Sequence, residues 1–443
     1  MKNNIPTVST FQFLRNANRI LRNPLPFHHE NFEKFGDIFQ INVGFGRKIV
    51  FCRDARLAEY VLQKNQKNYH KSNIQTKEMA KYIGHGLLTT DGEKWRKQRR
   101  MIQPAFHKKQ LALLLQTVNF AIKAELDKIQ PGKSMDIFPV FNDLAFQTVV
   151  QSLFSGVASQ QEINRLQYIT EAAQKMLVKE LRQPFKRWWF HVGGKIKHHL
   201  ELTAEAREIL KKIVAERKRS GKKYGDLLDM LLEARYEDGN GMDEEQLIDE
   251  ILILFTAGHE TTSNALTFIA ELLAGQPPVQ EKILEEVKDA KGNSSNLFEF
   301  LKNCPYTSAV IEEGMRLYPP VYFIDRVNLE EDQFEGLTIP KGSSLLFSIF
   351  EIHRHRDHWK DPEAFNPERF AEGGKKHEPY YYPFGAGPRK CIGNNFAMYE
   401  MVLTVAELVS RYKILAPSEE IEILPLITLK PKNAVLKFSP RCS

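Results

Sequence analysis

FGAGPRKCIG, residues 384–393, places three glycines and a proline within ten positions around a single cysteine, Cys391. Such a run cannot continue a helix or a strand, because glycine is costly in either and proline lacks the amide donor. A helical pattern resumes directly after it, near 394–412. The sequence therefore predicts a rigid loop that delivers Cys391 to a helix N-terminus. There the thiol meets backbone N–H groups and the positive end of the helix dipole, and Arg389 and Lys390 add charge of the same sign. All of these favour thiolate. A lone thiolate so placed can serve as a nucleophile, a redox sensor or an axial metal ligand. The sequence around the loop supplies no histidine to act as the base a nucleophile needs. Haem iron accepts one cysteine thiolate as its sole protein ligand, so a single cysteine suffices for that role.

The rest of the composition narrows the field. Of the 443 residues, 42% are hydrophobic and 26% charged, which excludes disorder, collagen-like repeats and rod-like coiled coils. The other cysteines, Cys52, Cys304 and Cys442, are scattered and form no C-x-x-C pair, which argues against a disulfide scaffold or a structural zinc site. The net charge, 62 − 55 = +7, is concentrated in runs: KWRKQRR at 94–100, KKIVAERKRSGKK at 211–223 and PRK at 388–390. Clustered charge marks a docking face for an acidic partner, while the run at 211–223 also reads as the solvated face of a helix. No finger, knuckle or RNA-binding motif accompanies the runs, so nucleic acid is not expected. No segment approaches the roughly 18–20 apolar residues of a membrane span. The start, MKNNIPTVST, has no apolar core of a secretory signal, and a soluble cytoplasmic protein is expected.

Outward from the loop, the pattern is mainly α with a small β region. Two β-like runs, 37–43 (DIFQINV) and 48–52 (KIVFC), flank Gly44-Phe45-Gly46 as a hairpin. From 56 to 317 apolar residues recur every three or four positions, and after Pro319-Pro320 short strands appear, as in 336–348. The expectation is an N-terminal segment, 1–24, and one large domain, 25–443, with small sheets drawn from both chain ends.

One helix breaks its own rules. Asp243 is a good N-cap with Gln246 as capping-box partner, and apolar spacing runs to Leu273 before Gly275 and Pro277-Pro278 stop it. About 31 residues at 1.5 Å each span roughly 46 Å. ILILF at 251–255 marks it as buried, yet its centre reads Ala257-Gly258-His259-Glu260-Thr261-Thr262. A mid-helix glycine costs about 1 kcal/mol and an unpaired interior carboxylate more, so a functional site is expected there. The plainer reading makes Gly258 a helix-crossing contact and lets Thr261 bond back to its own helix.

At this point FGAGPRKCIG resembles the haem-binding signature of the cytochrome P-450 haem-thiolate monooxygenases. Trp95-x-x-x-Arg99, Ala257-Gly258-x-Glu260-Thr261, Glu313-x-x-Arg316 and Pro367-Glu368-Arg369-Phe370 stand in that family's order, so the resemblance covers nearly the whole chain. It implies the cytochrome P-450 fold, with a long central helix across haem b and Cys391 as axial ligand of the iron. It implies that Trp95, Arg99, Arg326 and Arg389 meet the haem propionates, with Phe384 and Gly393 beside the thiolate. Ala257 and Gly258 would line the haem, Gly258 leaving space for dioxygen, while Thr261 and Glu260 deliver protons. Glu313, Arg316 and Arg369 would form a structural ion network.

The implied reaction puts one oxygen atom of dioxygen into a substrate C–H bond. That is hydroxylation, or oxidative O-demethylation if the carbon bears an ether oxygen. Electrons are expected from a ferredoxin or flavodoxin with an NAD(P)H-dependent reductase, docking on Lys94, Arg96, Lys97, Arg100, Arg389 and Lys390. Rival readings are a haem-thiolate peroxygenase, an isomerase or dehydratase on the same haem, and a non-catalytic haem sensor. The expected pocket walls are 74–88, Trp188-Trp189-Phe190, the helix centre and 321–324. With Arg182 and Lys186 nearby, they suit a fatty acid, terpenoid or carotenoid, or a methylated sugar stacked on an aromatic.

Overall fold

Asp243 caps the long helix as expected: its carboxylate accepts the Gln246 amide at 2.7 Å, and 31 residues, Glu244–Ala274, follow before Gly275. These features come from a computed structural model that describes residues 5–44, 47–156, 158–416 and 421–441. The reciprocal half of the capping box is not made. The Tyr236 hydroxyl donates to Gln246 Oε1 at 2.5 Å, so the side chain is turned toward the preceding loop, and its Nε2 has no partner.

The helix Phe138–Phe154 runs against this central helix. Phe146 stacks on Phe255 (5.8 Å between centroids, 22° between planes) and meets the edge of His259. His259 is buried and satisfied within its own helix, its Nδ1 lying 2.6 Å from the Phe255 carbonyl. Farther along, Ala265, Phe268, Ile269 and Leu273 share the largest apolar core with Met401, Val405 and Val409 of the helix Asn394–Arg411. Burying one such large aliphatic side chain contributes about 1.5–3 kcal/mol. This core therefore fixes the helix that follows Cys391 against the central helix.

The small sheets gather at the periphery. Ile38–Gly44 and Arg47–Cys52 pair antiparallel, Ile38 opposite Cys52 and Ile41 opposite Ile49, and the turn at Phe45 and Gly46 lies outside the described residues. They join a six-stranded sheet in the order Thr7–Val8, Ile38–Gly44, Arg47–Cys52, Ser344–Ser348, Phe323–Asn328, Tyr69–His70. Thr7–Val8 pairs in parallel with Gln40 and Ile41, so the first two dozen residues contribute an edge strand to this sheet. Near the C-terminus, Tyr412–Leu415 pairs with Val435–Pro440, and that strand with Ser134–Asp136. Among the described residues no helix is long and apolar enough to cross a membrane.

Candidate active site

The cysteine loop is set by its backbone. Gly387 has φ +65°, and a Cβ there would lie 2.1 Å from the Leu62 carbonyl oxygen, so only glycine fits. The Cys391 amide donates to the Phe384 carbonyl at 2.9 Å, and the Lys390 amide to that of Gly387 at 3.0 Å. Arg99 donates to the Lys390 carbonyl at 2.8 Å. Phe384 itself packs against the main core.

The helix begins at Asn394, three residues beyond Cys391, with Gly393 as its cap. The thiol thus sits outside the first turn. Crowding by the loop around the sulfur pushes the thiol up from its ordinary value, opposed by the Gly393 amide and by the charges of Arg99 and Lys390, while the outer side of the residue stays exposed. The Gly393 amide, Arg99 and Lys390 act in the expected direction, toward thiolate. A bound metal cation would favour it further. Cys391 is exposed, and a Cβ on Gly393 would meet nothing within 4 Å, so this end of the loop borders open space. Cys52 and Cys304 are buried, and burial raises both thiols, that of Cys304 to about 12. Cys442 lies outside the described residues.

A second feature sits beside the loop: a cluster of three cations, Lys71, Arg326 and Arg389, gathered around Asp91. Arg326 is a buried residue of the strand Phe323–Asn328, and its guanidinium donates to the neighbouring Asp325 carbonyl at 2.7 Å. Arg389 pairs with Asp91 at 2.7 Å and donates to Gln66, its Nε has no partner, and its guanidinium lies 5.1 Å from the centre of the buried Trp95 ring. Lys71 donates to the carbonyls of Leu87 (2.8 Å), Thr90 (2.9 Å) and Leu88 (3.1 Å). Burial, with repulsion among these cations, pushes Arg326 down to about 10 and Lys71 down to about 7. Such crowding fits a ligand that brings carboxylates, as haem does in its two propionates. Arg99 stands apart from this group, tied to the cysteine loop.

Sequence reasoning missed Lys71 and Asp91. Asp91 carried a readable signal as the N-cap of the helix Gly92–Ile102, whose buried face is Trp95, Gln98, Met101 and Ile102. Lys71 carried none.

At the centre of the long helix, Ala257 is exposed and Thr261 donates from Oγ1 to the Ala257 carbonyl at 2.8 Å. Next to it, Glu260 Oε1 accepts from Thr428 Oγ1 at 2.9 Å, and Asn264 Nδ2 donates to Thr428 Oγ1 at 3.1 Å. Gly258 answers to helix packing: a Cβ there would come within 2.9 Å of Val149 Cγ2. This is the crossing contact with Phe138–Phe154 that the plainer reading of the sequence expects.

The expected pocket walls need a further correction. Phe190 is buried among Tyr82, Met176, Leu177 and Ile253, which ties 74–88 to the central helix. Trp188 and Trp189 instead stack on each other at 4.3 Å and are exposed. Arg182 donates to the carbonyls of Leu21 and Pro425, so its guanidinium is already engaged by backbone.

Of the basic face, Arg96 is paired with Glu93 and Arg100 with Glu237, and Arg389 turns inward. Lys94, Lys97 and Lys390 remain exposed without an ion pair among the described residues. Glu313 meets Arg316 at 2.7 Å, both fully buried, and Arg369 Nε stands 3.4 Å from Glu313 Oε1.

On the helix after the cysteine, buried Glu400 accepts from Thr148 at 2.5 Å, while its Oε2 is unpartnered. Burial pushes this carboxyl up from 4.5 to about 8. The folded chain thus keeps a proton that the unfolded chain releases. Stability falls as pH rises from about 4.5 to about 8, by about 1.4 kcal/mol per pH unit for one such group. Glu400→Gln should flatten this slope in urea titrations across the window. An unaltered slope would place the titration elsewhere.

A helical chain with an accessible cysteine on a glycine-rich loop, beside a cluster of cations, has the layout of a haem-thiolate protein. The family model Cytochrome P450 matches residues 2–438. A cyclooctat-9-en-7-ol 5-monooxygenase of Streptomyces melanosporofaciens is 31% identical, over 89% of this chain and 85% of that protein. Human cytochrome P450 4Z1 is 29% identical, over 94% of this chain and 86% of its own. The structure of retinoic acid bound cyanobacterial CYP120A1 superposes with a TM-score of 0.84 at 26% identity, covering 99% of both chains. The chain belongs to the cytochrome P450 family and is a haem-thiolate monooxygenase. As in the family, its reaction takes a substrate, dioxygen and electrons from a redox partner.

Proposed function

We propose that haem b is held in the domain 25–443 with Cys391 as its axial ligand. Trp95, Arg326 and Arg389 receive the propionates, Arg99 fixes the cysteine loop, Phe384 and Gly393 border the sulfur, and Ala257 opens the central helix opposite. The observation that carries this reading is the cluster of Arg326, Arg389 and Lys71, with Arg389 Nε unpartnered, beside an accessible cysteine. When bound, the haem supplies iron for dioxygen activation. The chain's own contribution is proton management: Thr261 holds a hydroxyl proton at Oγ1, and Glu260, aimed by Thr428, restores it from the solvent side.

The substrate in this reading is lipophilic: a fatty acid, terpenoid or carotenoid. The retinoic acid of the cyanobacterial structure is consistent with that class. The outward turn of Trp188 and Trp189 offers no aromatic platform there for a stacked methylated sugar. A screen for substrate-induced Soret shifts across these classes reads the choice directly. Electrons come from an acidic ferredoxin or flavodoxin, reduced by an NAD(P)H-dependent reductase and docked on Lys94, Lys97 and Lys390.

The test is turnover with NADPH and a surrogate ferredoxin and reductase. Thr261→Ala should lower product per electron about 10–100-fold while peroxide accumulates, and the wild-type rate should fall as salt rises. Undiminished coupling would remove Thr261 from the relay. Full turnover with peroxide and no reductase would favour the peroxygenase.

A further inference from the structure

A cavity of about 260 Å³ opens on one face of the six-stranded sheet and shares no residue with the expected pocket walls or the cysteine loop. Its floor follows from strand register. Gln40 stands opposite Val50, and Val50 beside Leu345, so these three side chains form one row on one face of the sheet. On the inner side of that row, Ile38, Cys52 and Phe347 form the next one and pack with Leu57 and Ala58 of the helix Ala55–Glu59. On the outer side, two positions along the same strand, stands Lys48. The hairpin of Asp332–Phe334 and Leu337–Ile339 supplies Leu337 and Ile339 as a side wall, and Ile5 supplies the end. Val50, Leu57, Ile339 and Leu345 are buried, yet all four border the space. It exceeds the roughly 150 Å³ that takes a benzene ring, and so has room for about ten non-hydrogen atoms.

The mouth is polar, and its groups are unequal. Gln40 Nε2 is taken by the Ile5 carbonyl at 3.2 Å and by Thr7 Oγ1 at 2.8 Å. The Ser343 hydroxyl donates to the Pro340 carbonyl at 2.6 Å, and Lys341 is paired with the exposed Glu330 at 2.9 Å. Lys48 is exposed and has no ion pair among the described residues. Aliphatic walls with one uncommitted cation at the rim complement a molecule with an aliphatic tail and a single negative head. We propose that this cavity is a binding site, separate from the haem pocket, for a medium-chain carboxylate, its head at Lys48 and its chain over Val50 and Leu345. The site is independent of the catalytic reading above.

The probe is octanoate, which matches the cavity in size, titrated calorimetrically into the haem-loaded protein with saturating imidazole on the iron. Imidazole keeps the haem pocket from contributing, and a Soret band that stays constant through the titration verifies this. Octanoate should bind at one site, in the millimolar range or tighter, and octanol should bind more weakly. Lys48→Glu should weaken octanoate about fivefold or more and leave octanol unaffected, because the reversed charge faces the head alone. Leu337→Trp should fill the cavity and weaken both. Unchanged melting temperatures and carbon monoxide difference spectra serve as folding controls for the two variants. No binding heat at millimolar octanoate, or octanoate binding that survives either substitution unchanged, would overturn the proposal. Octanol bound as tightly as octanoate would remove the carboxylate from the site and overturn it as well.

Discussion

Cys391→His should abolish the red-shifted carbon monoxide band of the reduced protein and cut monooxygenase turnover by more than about 100-fold, beyond the roughly 10–100-fold that losing a supporting contact costs. The position is defined by backbone: Gly387 against the Leu62 carbonyl, and the Cys391 amide on the Phe384 carbonyl. Replacing the side chain therefore leaves the loop in place and changes the donor alone. A neutral imidazole gives the iron less charge than a thiolate does, and that donation favours O–O cleavage and shifts the carbon monoxide band. A bound metal cation would favour the thiolate at this position. An unchanged band would mean that some other group holds the iron, and the assignment of Cys391 would fall.

Why Cys391 was legible and its supporting shell was not follows from distance along the chain. The loop announces itself in ten consecutive residues because a left-handed turn against a backbone carbonyl admits only glycine. The central helix announces its ends through Asp243 and Gly275, whose effects reach a few residues. The cation cluster has no local signature. Asp91 joins Arg389 across 298 positions, and Lys71 reaches the carbonyls of 87–90, so only the folded chain shows that positive charge accumulates there. Helix phase is similarly hidden. Composition marks Gly258 as unusual, but the direction its missing Cβ would take, toward Val149, depends on which neighbour the helix packs against. Trp188-Trp189-Phe190 has no periodicity to say which ring goes inward, and burial goes to Phe190 alone. Arg326 sits in a strand too short to reveal its buried face.

Glu313→Gln should be the most destabilising of the single changes considered, at about 3–5 kcal/mol out of a total that for most proteins is about 5–15. Glu313 and Arg316 are both fully buried and joined by two hydrogen bonds, Arg316 Nε to Oε2 at 2.7 Å and Nη2 to Oε1 at 2.8 Å. Arg316 also donates to the carbonyls of His353 (3.0 Å), Pro362 (2.6 Å) and Ala364 (3.0 Å), while Glu313 accepts the Asn366 amide at 2.9 Å. The pair thus pins the helix Pro305–Leu317 to the segment that leads into the cysteine loop. An amide at 313 removes the countercharge and leaves a guanidinium with nowhere to go. Arg369, 3.4 Å from Glu313, loses its anion in the same step. Arg369→Ala should cost less, because that side chain is only partly enclosed and its loss strands no fully buried cation. Urea unfolding of the three proteins, with haem content measured on each, separates these cases. The expected order is wild type, then Arg369→Ala, then Glu313→Gln, with haem retention following it. A Glu313→Gln protein within about 1 kcal/mol of wild type would show that Arg316 is held by its carbonyls alone, and the ion network would lose its structural role.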